Sequence, residues 1–135
     1  MDSGNKLTKP LNFIRKILEL YGFYSPFSRG KVVQWTHPKT LDCLNVRENK
    51  FILNQQNLNG ACVSANYNNI KVRNLIRDWS NCAKLKKCIA PKGSNRGNHR
   101  QDQAVLSVLV YRDIPKIGKR MFYDKFGFKT HQDID

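Results

Sequence analysis

The residues best equipped for chemistry gather in one stretch, Ser94-Asn95-Arg96-Gly97-Asn98-His99-Arg100-Gln101-Asp102-Gln103. A carboxylate such as Asp102 can serve as base, nucleophile or ligand. His99 and Gln103 offer directional hydrogen bonds to hydroxyl groups. Arg96 and Arg100 can pair with phosphate oxygens through their planar guanidinium forks. Binding and catalytic groups concentrate on loops held by a rigid scaffold, and here a polar loop runs into an apolar element. The same residues also admit plain structural roles: Asp102 can cap a helix and His99 can bond a carbonyl.

The elements that must position this stretch follow from pattern. Pro91 to Asn98 is a loop by composition. Ala104-Val105-Leu106-Ser107-Val108-Leu109-Val110 is too short for periodicity to separate strand from buried helix. Asp102 just ahead of it, as an N-cap, favours a helix. Asn69 to Asn81 is a helix with the stripe Val72, Leu75, Ile76 and Trp79. Lys9 to Tyr21 is another, with Leu11, Ile14, Ile17, Leu18 and Tyr21 on one face, Thr8 as N-cap and Pro10 in the first turn. Its apolar stripe suits core packing better than a membrane surface. Residues 22–30 form a turn-rich connector. Val32 to Trp35 reads as a short strand, Pro38 to Leu44 as a short helix capped by Thr36, and Gly60 to Ala65 as a second strand. Residues 46–59 are polar and irregular, and residues 84–90 fit no single pattern. Strands alternating with helices point to an α/β fold: a mixed sheet flanked by helices, incomplete because few strands are visible.

At 135 residues the chain is at most one domain. It divides into an N-terminal helix and connector (1–31), a central part (32–111) and a basic aromatic tail (112–135) holding Met121, Phe122, Tyr123, Phe126 and Phe128. Lys and Arg total 24 against 10 Asp and Glu, a formal charge of +14 that attracts polyanions such as nucleic acid or acidic glycans. The excess is spread along the chain, with no basic run of five or more. No apolar stretch has the length of a membrane helix, and the opening MDSGNKLTKP lacks the apolar core of a secretory leader, so the expectation is a soluble chain that is not exported. Cys43, Cys62, Cys82 and Cys88 form no CxxC pair, which argues against a zinc ribbon. Cys82 and Cys88 are near enough for a local disulfide in an oxidising compartment; four reduced thiols are the other reading. His37 and His99 lack the spacing of a metal pair, and His131 lies in the tail.

Several short motifs recur in order: Trp35-Thr36-His37-Pro38, Asn59-Gly60-Ala61 with Asn66 following, Trp79-Ser80-Asn81-Cys82, Cys88-Ile89-Ala90-Pro91, Gly93-Ser94, and His99-Arg100-Gln101-Asp102-Gln103-Ala104-Val105-Leu106-Ser107. This set resembles an uncharacterised glycosyltransferase-like family whose members look like nucleotide-diphospho-sugar transferases of the GT-A fold. The resemblance covers about Val32 to Val110. It implies that this chain is the C-terminal, acceptor-shaping part of such a domain. It further implies a nucleotide-sugar donor, a glycan or protein acceptor, and, in a complete relative, manganese held by an Asp-x-Asp motif in an N-terminal nucleotide half. That half is missing from these residues, and no cofactor is expected of this chain alone. The one Asp-x-Asp here, Asp133-Ile134-Asp135, is at the wrong end for the metal motif. On this resemblance Asp102 is the candidate catalytic residue, and His99, Arg100, Gln103, Trp35 and His37 are candidate substrate contacts. Trp35 could stack on a sugar ring or be a buried strand-end aromatic. Cys82 and Cys88 take a structural role. Complete relatives would be expected in the Golgi membrane, facing the lumen. The competing reading is a non-catalytic basic module for nucleic acid or acidic glycans.

Overall fold

A computed structural model describes residues 3–120, 122–123 and 125–132. Its elements, in chain order, are β1 (Ser3–Leu7), α1 (Asn12–Tyr21), β2 (Phe23–Tyr24), β3 (Phe27–Lys31), α2 (Val32–Trp35), α3 (Pro38–Cys43), α4 (Lys50–Leu53), β4 (Gln56–Leu58), β5 (Ser64–Ala65), α5 (Ile70–Ala83), α6 (Lys86–Ile89), α7 (Gln101–Asp113), a 3-10 turn (Pro115–Arg120) and β6 (Phe128–Gln132). The fold is mixed α/β.

The apolar run after Asp102 becomes the axis of the molecule. Every residue of α7 from Ala104 to Tyr111 is buried. A helix buried all round needs neighbours on every side. They are α5, β4, the 3-10 turn, α2, α4 and α6. α5 supplies Val72, Leu75, Ile76 and Trp79, the stripe expected from its sequence. Asn69 starts α5 by accepting the amide of Lys71 at 3.0 Å, the usual reward for Asn ahead of a helix. Arg112 joins the far end of α7 to α5 through Asp78 at 2.6 Å.

The strands pair only two by two, all antiparallel: β1 with β6, β2 with β5, and β3 with β4. The expected mixed sheet flanked by helices is therefore absent among the described residues; a helix occupies the centre instead. Val32–Trp35 is a helical turn, not a strand, closed by the Lys31 amide donating to the Gln34 side chain at 2.7 Å. Of Gly60 to Ala65 only Ser64–Ala65 is strand, because the Asn59 side chain folds the backbone into a turn by accepting the Ala61 amide at 3.0 Å. Residues 46–59, expected to be irregular, contain α4 and β4, with Asn49 capping α4.

Thr8 does not cap α1. Its amide and its hydroxyl both donate to the Gly127 carbonyl, at 2.8 and 2.9 Å, and α1 begins at Asn12 with no side-chain cap. The tail thus folds back on the N-terminal segment. Phe126 stacks on Phe13 with centroids 4.3 Å apart, and a second small core of Ile14, Ile17 and Tyr24 packs against Phe126 and Phe128. Gly22 ends α1 at φ 79°, its amide bonded to the Leu18 carbonyl, a left-handed position that suits Gly.

Candidate functional site

The motif residues meet at the N-terminal end of α7. Asp102 is not the helix cap. α7 begins at Gln101, in an uncommon positive-φ conformation of 43°, after Arg100. Asp102 lies in the first turn and is exposed, where its charge suits the helix dipole. Its main-chain carbonyl accepts the Trp79 indole N–H at 3.1 Å. Trp79 therefore serves both the core and this rim.

His99 is 2% exposed. Its Nδ1 accepts the His37 amide at 3.2 Å, and its Nε2 lies 2.8 Å from the Ile89 carbonyl. A carbonyl can only accept, so Nε2 carries the proton and the ring is the neutral Nε2–H tautomer. Burial holds its pKa below the ordinary histidine value, with His37 adding to the effect. His99, expected as a substrate contact, has both ring nitrogens engaged with backbone, so the ring positions the rim. His37 accepts the Lys39 amide on Nδ1 at 3.2 Å and so caps α3.

Arg100 lies with its guanidinium carbon 4.1 Å from the Trp35 ring centroid, and its amide donates to the Trp35 carbonyl at 3.0 Å. One face of Trp35 is thus covered by a cation. Gln103 is half-buried against Gly60, where a Cβ on residue 60 would come within 3.1 Å of the Gln103 Cβ. Arg96 is exposed in the 91–98 loop, which is ordered by its own asparagines: Asn98 Nδ2 donates to the Gly93 carbonyl at 3.0 Å and Asn95 Oδ1 accepts the Gly97 amide at 2.8 Å.

Two features escaped the sequence reading. Ser107 is a buried polar hub: its Oγ accepts the Leu58 amide at 2.9 Å and lies 2.8 Å from both Asn57 Oδ1 and the Gln103 carbonyl. A serine inside an otherwise apolar run was the available signal. The other is a pair of buried polar atoms without a partner among the described residues, Thr36 Oγ1 and Asn57 Nδ2.

Cys82 and Cys88 are joined by a disulfide that ties the end of α5 to α6. The Cys88 carbonyl accepts the Thr40 hydroxyl at 2.7 Å, carrying the link on to α3. Cys43 and Cys62 are free, and burial pushes the Cys62 thiol up.

The rim left open to a ligand therefore offers the Asp102 carboxylate, the Gln103 amide and the Arg100 guanidinium. Together they can bind hydroxyls and anionic oxygens. Among the described residues no group of three or more His, Cys, Asp or Glu could hold a metal ion. Asp133-Ile134-Asp135, Met121 and Asp124 lie outside the described residues. No helix among the described residues is long and apolar enough to cross a membrane. Compared with protein-family models, curated proteins and solved structures, the chain matches none.

Proposed function

We propose that this chain is the acceptor-side part of a glycosyltransferase-like domain of the GT-A kind, binding a sugar through Asp102 and Gln103 at the start of α7. The observation that supports this reading is convergence. Trp35, His37, Gly60, Trp79, His99 and Arg100 are scattered along the chain, yet all lie in contact with one another or with the first turn of α7. They are among the residues on which the family resemblance rests. An ordered motif set that folds into a single rim fits a binding site better than a series of unrelated turns.

On this reading Asp102 accepts a hydrogen bond from a sugar hydroxyl, and Gln103 donates or accepts beside it. Arg100 is placed for an anionic oxygen, such as one from the diphosphate of a nucleotide sugar. The donor's manganese belongs to a nucleotide half that these residues do not supply, so the expectation for this chain by itself is saccharide binding without turnover. The disulfide suits an oxidising compartment such as the Golgi lumen.

The test is saturation-transfer NMR with a panel of neutral mono- and disaccharides and of UDP- and GDP-sugars, with and without manganese. Losing one charge-assisted hydrogen bond in Asp102→Asn should weaken saccharide binding about tenfold or more. The melting temperature should hold, because the carboxylate is exposed. Absence of any saccharide or nucleotide-sugar signal would sink the reading. A second reading, a basic binding module, is favoured by the charge of +14.

A further inference from the structure

Away from the rim, α3, α6 and the start of the 91–98 loop enclose an open groove of about 500 Å³, lined by Lys39, Asp42, Cys43, Lys87, Pro91 and Lys92. Its walls are fixed. α3 packs on α6, the Thr40 hydroxyl donates to the Cys88 carbonyl, and the Cys82–Cys88 disulfide anchors α6 to α5.

The groove collects cations that would otherwise avoid one another. Lys39 Nζ donates to the Lys92 carbonyl at 3.2 Å, which holds its ammonium beside the Lys92 main chain. Lys87 stands on α6. Among the described residues the one carboxylate in the lining, Asp42, is already paired with Arg47 at 2.9 Å, so it does little to offset the lysines. Like charges gathered in a concave site raise the local potential and draw an anion.

Two observations narrow the anion. Among the described residues the lining contains no aromatic ring, whereas sites for single-stranded nucleic acid rely on aromatic stacking platforms. The volume is that of a small-molecule site, not of a track along a polymer backbone. Pro91 and Cys43 give the groove an apolar side on which the body of a small molecule can rest.

We propose that this groove binds a sugar-sized sulfate or phosphate ester, with Lys39, Lys87 and Lys92 contacting the ester oxygens and Pro91 and Cys43 the carbon skeleton. The inference does not rest on the glycosyltransferase reading, because it uses none of the rim residues.

Calorimetry on the full chain tests it, with glucose 6-phosphate, glucosamine 6-sulfate, glucose, inorganic phosphate and a single-stranded oligonucleotide as probes. Both esters should bind, and any binding of glucose, which carries no ester charge, should not depend on the groove lysines. The variant K39Q/K87Q/K92Q should lose about tenfold or more in ester affinity. The variant K16Q/K71Q/R73Q removes the same charge from exposed positions on α1 and α5 and should change ester affinity by about twofold or less. The loss caused by K39Q/K87Q/K92Q should be the same in an Asp102→Asn background, which separates this site from the rim. If the first triple variant does not fold, Lys87→Glu alone should give the same loss.

Equal losses in both triple variants would overturn the proposal in favour of diffuse charge. Inorganic phosphate binding as tightly as the esters would reduce it to an adventitious ion only. Tighter binding of the oligonucleotide, with the same dependence on the groove lysines, would replace it with a nucleic-acid surface. No measurable ester binding would end it.

Discussion

Replacing His99 with alanine removes a ring that holds three segments together. The His37 amide loses its acceptor, the Ile89 carbonyl loses its donor, and a side chain that is 2% exposed leaves a void. An unsatisfied buried polar group costs about 1–3 kcal/mol. Two such groups and a modest cavity together give about 3–5 kcal/mol, a large part of the stability of a domain this size. His99→Gln should lose less, because an amide can both accept and donate. The pH dependence carries its own sign. Burial holds the folded-state pKa of His99 below its ordinary value of 6.5, so the unfolded chain binds the proton more readily. Stability from this group is complete above that value and is lost as pH falls through it towards the folded-state pKa. The assay is urea unfolding at a series of pH values from about 7.5 to about 5. The wild type should weaken on acidification, and His99→Ala should start lower and weaken less steeply. A loss under about 1 kcal/mol, or an unchanged acid slope in the variant, would refute the assignment of His99 as a buried neutral clamp.

Gly22→Ala should destabilise by about 2 kcal/mol or more, read by urea midpoint. A Cβ there would sit 2.8 Å from the Val72 side chain and 2.6 Å from Asn69 Nδ2, at a φ of 79°, and would disturb the cap of α5. A neutral result would mean that the α1–α5 junction is looser than described. Reducing the Cys82–Cys88 disulfide, or replacing both cysteines with serine, should lower stability by about 2 kcal/mol, since the bond closes a short loop with a sequence separation of 6. A melting temperature that does not respond to reductant would contradict the bridge.

Much of the helical framework was legible in the residues alone. α5 carries its own start signal at Asn69 and a continuous apolar stripe, and the run after Asp102 is helical as expected, although the Asp102 cap on which that expectation rested is not made. Those signals are local, within one or two turns, so the sequence contains them whole. The polar character of the stretch from His99 to Gln103 was legible for the same reason. Its division of labour was not. Whether Asp102 caps the helix depends on where α7 begins, and α7 begins at the positive-φ residue Gln101, two residues earlier than an Asp102 cap would set it.

The rest was decided by partners remote in sequence. His99 is a clamp because the His37 amide, 62 residues away, and the Ile89 carbonyl reach its ring. Val32–Trp35 becomes a helical turn, although its valines suit a strand, because four residues hold no period of their own and their surroundings choose. Thr8 gives up a capping role to Gly127, 119 residues away, when the tail returns to α1. The sequence by itself thus determined that there would be amphipathic helices, a polar loop and an excess of positive charge. Only the tertiary structure decided that α7 would be the buried axis, that His99 would face inward and Asp102 outward, and that three dispersed lysines would line one groove. The physical reason is that capping and periodicity act within a turn or two, whereas burial and long-range hydrogen bonding exist only once the chain has folded.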